Sequence, residues 1–338
     1  MKKTNLILTI VLIITIIILG LIIFFKVIKP TKTAKVLRDF AVTDTASVDK
    51  VFLADMNNNQ VLLERIGDSW MANKKYKART DFMNVLLETI KRVEIKSPVS
   101  EKKYPQLIKD ISTFGIKVEI YQKGKLTKTY YVGSDDSNSM GTYMILEGSK
   151  SPFVMHIPGF LGFLSIRYTP LIAEWRERVI FRYSPNEIKQ IKVNYPENQD
   201  NSFIIDYNNN KDFNIATING KKVNFEIDTL KMKEYLAMIK FVGFEAYIDE
   251  NLQKQKIDSL ISQPILVQFD ITDKNGITNT LKTYRRQNIT QQYDDQGNPY
   301  EWDIDNLYGI INNDTEAVIL QYYIIDPISF ILSDFRKN

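Results

Sequence analysis

Val51-Phe52-Leu53-Ala54-Asp55-Met56-Asn57-Asn58-Asn59-Gln60-Val61-Leu62-Leu63 reads as two short strands joined by a polar turn. The apolar triplets suit a pleated, half-buried surface. Asn tolerates the positive φ that a tight turn requires. The stretch therefore predicts an antiparallel β-hairpin.

The chain after it extends the pattern. A third strand is expected near residues 69–72. Thr80 or Asp81 then caps a helix running to about Val93, with Phe82, Val85, Leu86, Ile90 and Val93 at helical spacing. Residues 104–114 form a second, shorter helix. Residues 116–121 and 128–132 pair across Lys123-Gly124, and two more strands follow near 142–146 and 153–157. The order recurs in the second half. Strands are expected at 188–195, 203–207 and 213–218, with Asn208-Asn209-Asn210 as a turn and Asn219-Gly220 as another. Asp228 or Thr229 caps a helix carrying Leu230, Tyr235, Leu236 and Ile239. A short helix at 252–261 precedes a hairpin across Asp273-Lys274-Asn275-Gly276 and two last strands, near 307–311 and 317–321. The fold class is thus α+β. Two tandem, similar lobes are expected at 48–157 and 188–338, joined by a connector at 158–187. Each has antiparallel strands, one long helix and one short helix.

Residues 6–25 are a run of 20 without a charge, rich in Ile and Leu. At about 1.5 Å per residue such a run spans the roughly 30 Å core of a bilayer as a helix. It exceeds the apolar core of a cleaved signal peptide, and Phe24-Phe25-Lys26-Val27 offers no small-residue cleavage pattern. It predicts an uncleaved, single-pass N-terminal anchor (residues 1–25) followed by a polar stalk (26–47).

The net charge of +4 is unevenly placed. Residues 1–38 hold seven cations and no acid, leaving 37 Lys+Arg against 40 Asp+Glu on residues 39–338. The body is mildly acidic, so a nucleic-acid partner is not expected. Five of the seven cations follow the apolar run, and the positive-inside rule alone would turn the body toward the cytoplasm.

The chemistry of the composition is restrictive. With 0 Cys and 1 His, a disulfide framework, a thiolate zinc site, a Cys nucleophile and a multi-histidine metal centre are excluded. No dinucleotide, phosphate-loop, serine-hydrolase or zinc-protease motif occurs. His156, between Met155 and Ile157, reads as a packing residue. The loops at 134–138 and 294–298 are oxygen-rich but lack the spacing of a calcium loop, and read as solvated turns. Asp303 and Asp305 alternate along an expected strand and would share a face. Asp44-Thr45-Ala46 matches an Asp-Ser/Thr-apolar O-glycosylation acceptor, as do Asp228-Thr229-Leu230 and Asp258-Ser259-Leu260. No metal, cofactor or catalytic residue is predicted. In the connector, Trp175, Arg176 and Arg178 are the candidate site residues. They are read as a clasp, with Trp175 in a core and Arg176 or Arg178 paired to carboxylates, or as an interaction hot spot.

These residues resemble the DUF4340 family of bacterial envelope proteins. The resemblance rests on Val51-Phe52-Leu53-Ala54-Asp55, Val61-Leu62-Leu63-Glu64-Arg65, Trp70 leading to Tyr76-Lys77-Ala78-Arg79, Val118-Glu119-Ile120-Tyr121, Gly141-Thr142-Tyr143-Met144 and His156-Ile157-Pro158-Gly159-Phe160. It covers residues 48–190 well and the second half loosely. It implies a single-pass inner-membrane protein with the bulk of the chain in the periplasm. ABC-transporter components of the gliding-motility type are the implied neighbours, and no catalytic residue is carried over.

The function expected from these readings is that of a non-enzymatic accessory or scaffold subunit of an inner-membrane transport or secretion complex. Its hairpin edges would offer pairing to a partner strand. A periplasmic module binding a glycan or peptide between the lobes is the alternative, since 12% aromatic residues supply stacking surfaces. An atypical hydrolase is the third reading.

Overall fold

The computed structural model describes residues 38–209 and 212–337. The expected membrane span at 6–25, most of the stalk and Asn210 lie outside the described residues. Among those described, no helix is long and apolar enough to cross a membrane. The chain is mixed α+β, with antiparallel sheets and few helices, and divides into two compact units, Met1–Arg176 and Glu177–Asn338.

Unit 1 starts with a meander of β1 (Val48–Ala54), β2 (Gln60–Ile66), β3 (Ser69–Ala72) and β4 (Tyr76–Lys77). It continues with α1 (Thr80–Arg92), β5 (Glu94–Pro98), α2 (Tyr104–Phe114), β6 (Ile116–Gln122), β7 (Lys125–Asp135), β8 (Thr142–Leu146) and β9 (Phe153–His156). The strands form one antiparallel sheet in the order β4-β3-β2-β1-β6-β7-β8-β9-β5. The opening hairpin turns as its asparagines require. Asn58 has φ 64°, and the Asp55 carboxylate accepts hydrogen bonds from the amides of Asn57 (2.8 Å) and Asn59 (3.0 Å). Lys123 (φ 52°) and Gly124 (φ 75°) make the two-residue turn between β6 and β7.

Alternation decides what each face meets. Val51, Leu53, Val118, Ile120, Tyr130, Val132 and Met144 point one way and pack with Met83, Leu86 and Ile90 of α1. The opposite face is covered at its far end by α2. Its Leu107 joins Val99 and Val154, and Gly133 admits Ile111 so closely that a Cβ there would stand 2.7 Å from Ile111 Cγ1. The unit is therefore helix, sheet, helix in three layers.

The stretch expected as a connector is divided. Residues up to Arg176 belong to unit 1, where Leu164, Tyr168 and Trp175 are fully buried in the core. Its helix is a single turn, α3 (Ile172–Trp175).

Unit 2 opens with β10 (Val179–Arg182), β11 (Ile188–Asn194), β12 (Phe203–Asn209) and β13 (Asp212–Thr217). Then come α4 (Thr229–Ile239), β14 (Phe241–Gly243), β15 (Ala246–Tyr247), α5 (Gln253–Ile261), β16 (Gln268–Asp273), β17 (Thr278–Tyr284), β18 (Asn306–Ile311), β19 (Glu316–Gln321) and α6 (Tyr322–Ile325). The large sheet runs β13-β12-β11-β16-β17-β18-β19-β15, and β10 pairs with β14 apart from it. Strand for strand this is the order of unit 1 without its outermost β4. Met232, Tyr235, Leu236 and Ile239 of α4 pack on one face, and Leu260 of α5 meets Tyr284, Ile310 and Ala317 on the other.

Three local expectations are corrected. Strands lie between the two helices of each unit, β5 in unit 1 and β14 and β15 in unit 2. β5 and β15 are edge strands with no fully buried residue, so no run of apolar residues announced them. Arg79, not Thr80 or Asp81, is the N-cap of α1, and makes no capping bond. In α4 Asp228 does cap, accepting from the amides of Leu230 (2.9 Å) and Lys231 (3.1 Å). Asp303 and Asp305 precede β18 rather than alternate along it, and their surroundings differ. Three of the four edges of the large sheets are poor templates for a partner strand: β4 and β15 have two residues each, and β5 carries Glu94, Lys96 and Pro98; the fourth edge, β13, has six residues.

Candidate functional site

Each unit has a cleft beside its short outer helix, at corresponding places in the strand order. In unit 1 it has a volume of about 510 Å³ between Ile108 and Ser112 of α2, Lys117 of β6, Tyr131 of β7 and Glu147 beyond β8. Its charges are matched internally. Lys117 Nζ lies 2.6 Å from Glu119, and the hydroxyls of Tyr121 (2.8 Å) and Tyr131 (3.3 Å) donate to Glu119 and Glu147. The bond to Glu119 raises Lys117 above the usual ammonium value. Burial would raise the Glu119 carboxyl, but its bonds from Lys117 and Tyr121 outweigh this and hold it low.

The unit 2 cleft has about 520 Å³ and is built differently. Lys256, Ser259 and Gln263 line it from one side, at helical i, i+3, i+7 spacing that starts in α5. Leu260, between them in sequence, turns inward and anchors the helix to the sheet. Tyr308 of β18 and Leu266 supply the floor, and Arg285, Gln287 and Trp302 come from the connection between β17 and β18.

That connection, residues 285–305, is a folded arm; its counterpart in unit 1 spans only 136–141. Backbone bridges join Gln287 to Trp302 and Tyr293 to Pro299. The Asn288 amide donates to the carbonyls of Gln292 (2.7 Å) and Tyr300 (2.9 Å), and the Gln292 amide to the Asp305 carboxylate (2.6 Å). At the base, Asp303 is buried. Its Oδ1 accepts from the amides of Asp305 (3.0 Å) and Asn306 (2.9 Å), and its Oδ2 stands 3.6 Å from Arg286 Nε. Buried Asp303 is thus tied to both legs of the arm.

The cations of this cleft rest on rings. Lys256 Nζ is 4.3 Å from the centre of Tyr308, and the guanidinium carbon of Arg285 is 5.5 Å from the centre of Trp302. Arg286 approaches Tyr308 as well, at 5.7 Å. Among the described residues neither Lys256 nor Arg285 has a carboxylate within 4.0 Å, whereas Arg286 has Asp303. Glu197 is the one acid lining the cleft. A ring face orients a cation without neutralising it, so both charges stay available to an incoming anion.

The residues singled out from sequence lie elsewhere. Trp175 is fully buried in unit 1; its Nε1 donates to the Thr169 carbonyl (2.8 Å) and its ring lies 4.5 Å from Phe82. Arg176 is buried beside it, its guanidinium carbon 3.9 Å from the Tyr76 ring centre and its backbone bridged to Ala78. Arg178 falls in unit 2, where Nη1 donates to the Glu245 carbonyl. His156 ends β9 opposite Glu94. The carboxylates of the oxygen-rich loops close turns: Asp135 accepts from Thr142 and Ser165, Asp136 from the Met140 amide, and Asp294 from the amides of Gln296 and Asn298. Asp44 likewise accepts from the Ser47 amide (3.3 Å), so two of the three glycosylation-like matches are helix or turn caps. Among the described residues no three acidic or histidine side chains gather as metal ligands.

The cleft residues were not picked out from sequence. Arg285-Arg286, followed by a polar excursion to Trp302 where unit 1 has a short turn, is the signal that could have found them.

Fold and cleft define a two-unit α+β protein with an open, cation-bearing recess in its second unit. A family model described as a domain of unknown function, DUF4340, matches residues 70–259, more than half of the chain, and the chain belongs to that family. The match runs from Trp70 in β3 to Ser259 in α5, across the division between the units. No curated protein and no solved structure matches the chain.

Proposed function

We propose that this is a single-pass envelope protein, held in the inner membrane by residues 6–25 with its body in the periplasm. It acts as a non-enzymatic accessory subunit of a transport or secretion complex, and its two units arose as a tandem duplication. The observation that carries the reading is the unit 2 cleft, where two cations without carboxylate partners among the described residues stand open beside apolar and amide side chains. Such a recess suits recognition of an anion. The uncharged run at 6–25 supports the anchor, and the matching strand orders support the duplication.

Reciprocal affinity purification from native membranes, after cross-linking, tests the role. A stoichiometric integral-membrane partner is the expected result. Recovery of the chain alone in several detergents, or turnover of a substrate by purified chain, overturns it. A C-terminal tag accessible only from the periplasm is expected; protection of the tag there overturns the orientation.

A further inference from the structure

The geometry points to a specific ligand for the unit 2 cleft: a short acidic and apolar segment of a protein partner, its carboxylates held by Lys256 and Arg285. The inference rests on the accessory-subunit reading and names the chemistry of its docking site.

Four observations converge. Lys256 and Arg285 flank one recess, each set against a ring face, Tyr308 and Trp302, and neither has a carboxylate partner among the described residues. Chain entropy usually leaves such long side chains disordered at a surface; a ring beneath each reduces that loss and fixes where an anion must sit. The corresponding cleft of unit 1 lacks this property, since its Lys117 is already paired with Glu119 at 2.6 Å. The unit 1 cleft thus holds a cation already neutralised, and the unit 2 cleft two that are not.

The lining between the cations favours a peptide over a bare anion. Leu266, Pro264 and Ile289 are apolar, and Gln263 and Gln287 present amides suited to a peptide backbone. The apolar surface continues outward along the arm, where Ile289 is 64% and Ile304 is 51% exposed. A phosphate or a lipid headgroup would satisfy the cations and leave that surface in water. A segment alternating carboxylates with apolar side chains covers both, and about 520 Å³ lies within the range of well-formed ligand sites. The arm that carries Trp302 and Ile289 is present only in unit 2, and its internal hydrogen bonds preorganise it, which lowers the ordering cost of binding.

The test is a random peptide display library panned on the full chain in detergent micelles. A Lys256→Gln, Arg285→Gln double variant serves as counter-screen and Lys117→Gln as control. Enrichment of peptides combining Asp or Glu with apolar residues is expected. A synthetic consensus peptide should bind about tenfold or more weakly to the double variant and unchanged to the control, and its affinity should fall with salt. It should also alter the fluorescence of Trp302, the one Trp in unit 2. Far-UV circular dichroism confirms that the variants are folded. Enriched peptides without acids, or equal binding to the double variant, overturns the inference. So does capture of inorganic phosphate or of anionic lipid vesicles through these two residues with no peptide enriched. Peptide binding with no partner in the reciprocal purification sinks the accessory reading alone; a partner recovered equally by the double variant sinks this site alone.

Discussion

The ammonium of Lys256 sits 4.3 Å from the centre of the Tyr308 ring, in a cleft where no carboxylate among the described residues neutralises it. The ring positions the charge. Tyr308→Phe should therefore leave binding of an acidic peptide nearly unchanged. Tyr308→Leu should weaken it about two- to fivefold, the equivalent of about 0.5–1 kcal/mol for an exposed cation–π contact. A titration by fluorescence anisotropy reads the difference, and equal losses in both variants would assign the ring a packing role only.

Trp175 closes the core of unit 1 from a segment that sequence reading placed outside it. Trp175→Ala should destabilise the unit by about 3–5 kcal/mol, because a large cavity opens and the Thr169 carbonyl loses its donor. Urea unfolding followed by near-UV circular dichroism measures it. A loss below about 1 kcal/mol would mean that the residue is peripheral to folding.

Tyr235 is fully buried within α4, edge-on to Phe203 and Phe335, and its hydroxyl has no hydrogen-bond partner among the described residues. Burying an unpaired hydroxyl costs about 1–3 kcal/mol. Tyr235→Phe should accordingly raise the melting temperature, with the rings undisturbed. Destabilisation by this variant would reveal a partner for the hydroxyl.

Tyr130 and Tyr168 share a buried hydrogen bond, the Tyr130 hydroxyl donating to Tyr168 at 3.2 Å. Burial is the main cause that pushes both phenols up, well above their usual range for Tyr130. The folded values exceed the unfolded value of about 10, so their contribution to stability is complete below about pH 10 and declines as the pH rises beyond it. Alkaline unfolding should release both protons together, as a cooperative step in tyrosinate absorbance coincident with loss of circular dichroism. Smooth ionisation of these phenols with the fold intact would contradict their burial.

The two long helices should respond differently at their starts. Asp228→Ala removes two bonds to the first turn of α4 and should cost about 0.5–2 kcal/mol. Thr80→Ala in α1, where no side chain caps, should cost little. Thermal unfolding of the two variants compares them directly.

Much of the architecture was legible because its signals are local. Asn57-Asn58-Asn59, Lys123-Gly124 and Asp273-Lys274-Asn275-Gly276 mark turns by the φ values they tolerate, and period-2 apolar residues on either side leave one register. The helices at 80–92, 104–114, 229–239 and 253–261 follow from their spacing. The edge strands β5 and β15 were not legible, since an edge strand needs no apolar face and Glu94-Ile95-Lys96-Ser97-Pro98 carries no alternating core residues. Trp175 and Arg176 drew notice as rare, large side chains, but composition does not say whether such residues face a partner or a core.

What the chain determined by itself is the order of its main strands and helices, the uncharged segment at 6–25 and the chemistries that its single His and missing Cys exclude. Tertiary structure alone decided that residues 164–175 complete the first core. It also decided that Lys256, Arg285, Trp302 and Tyr308, spread over more than fifty positions, meet in one cleft. The reason is physical: turn and helix preferences act over a few residues along the chain. Whether a cation meets a carboxylate or a ring depends on which strands become neighbours, and that is set only when the sheet closes.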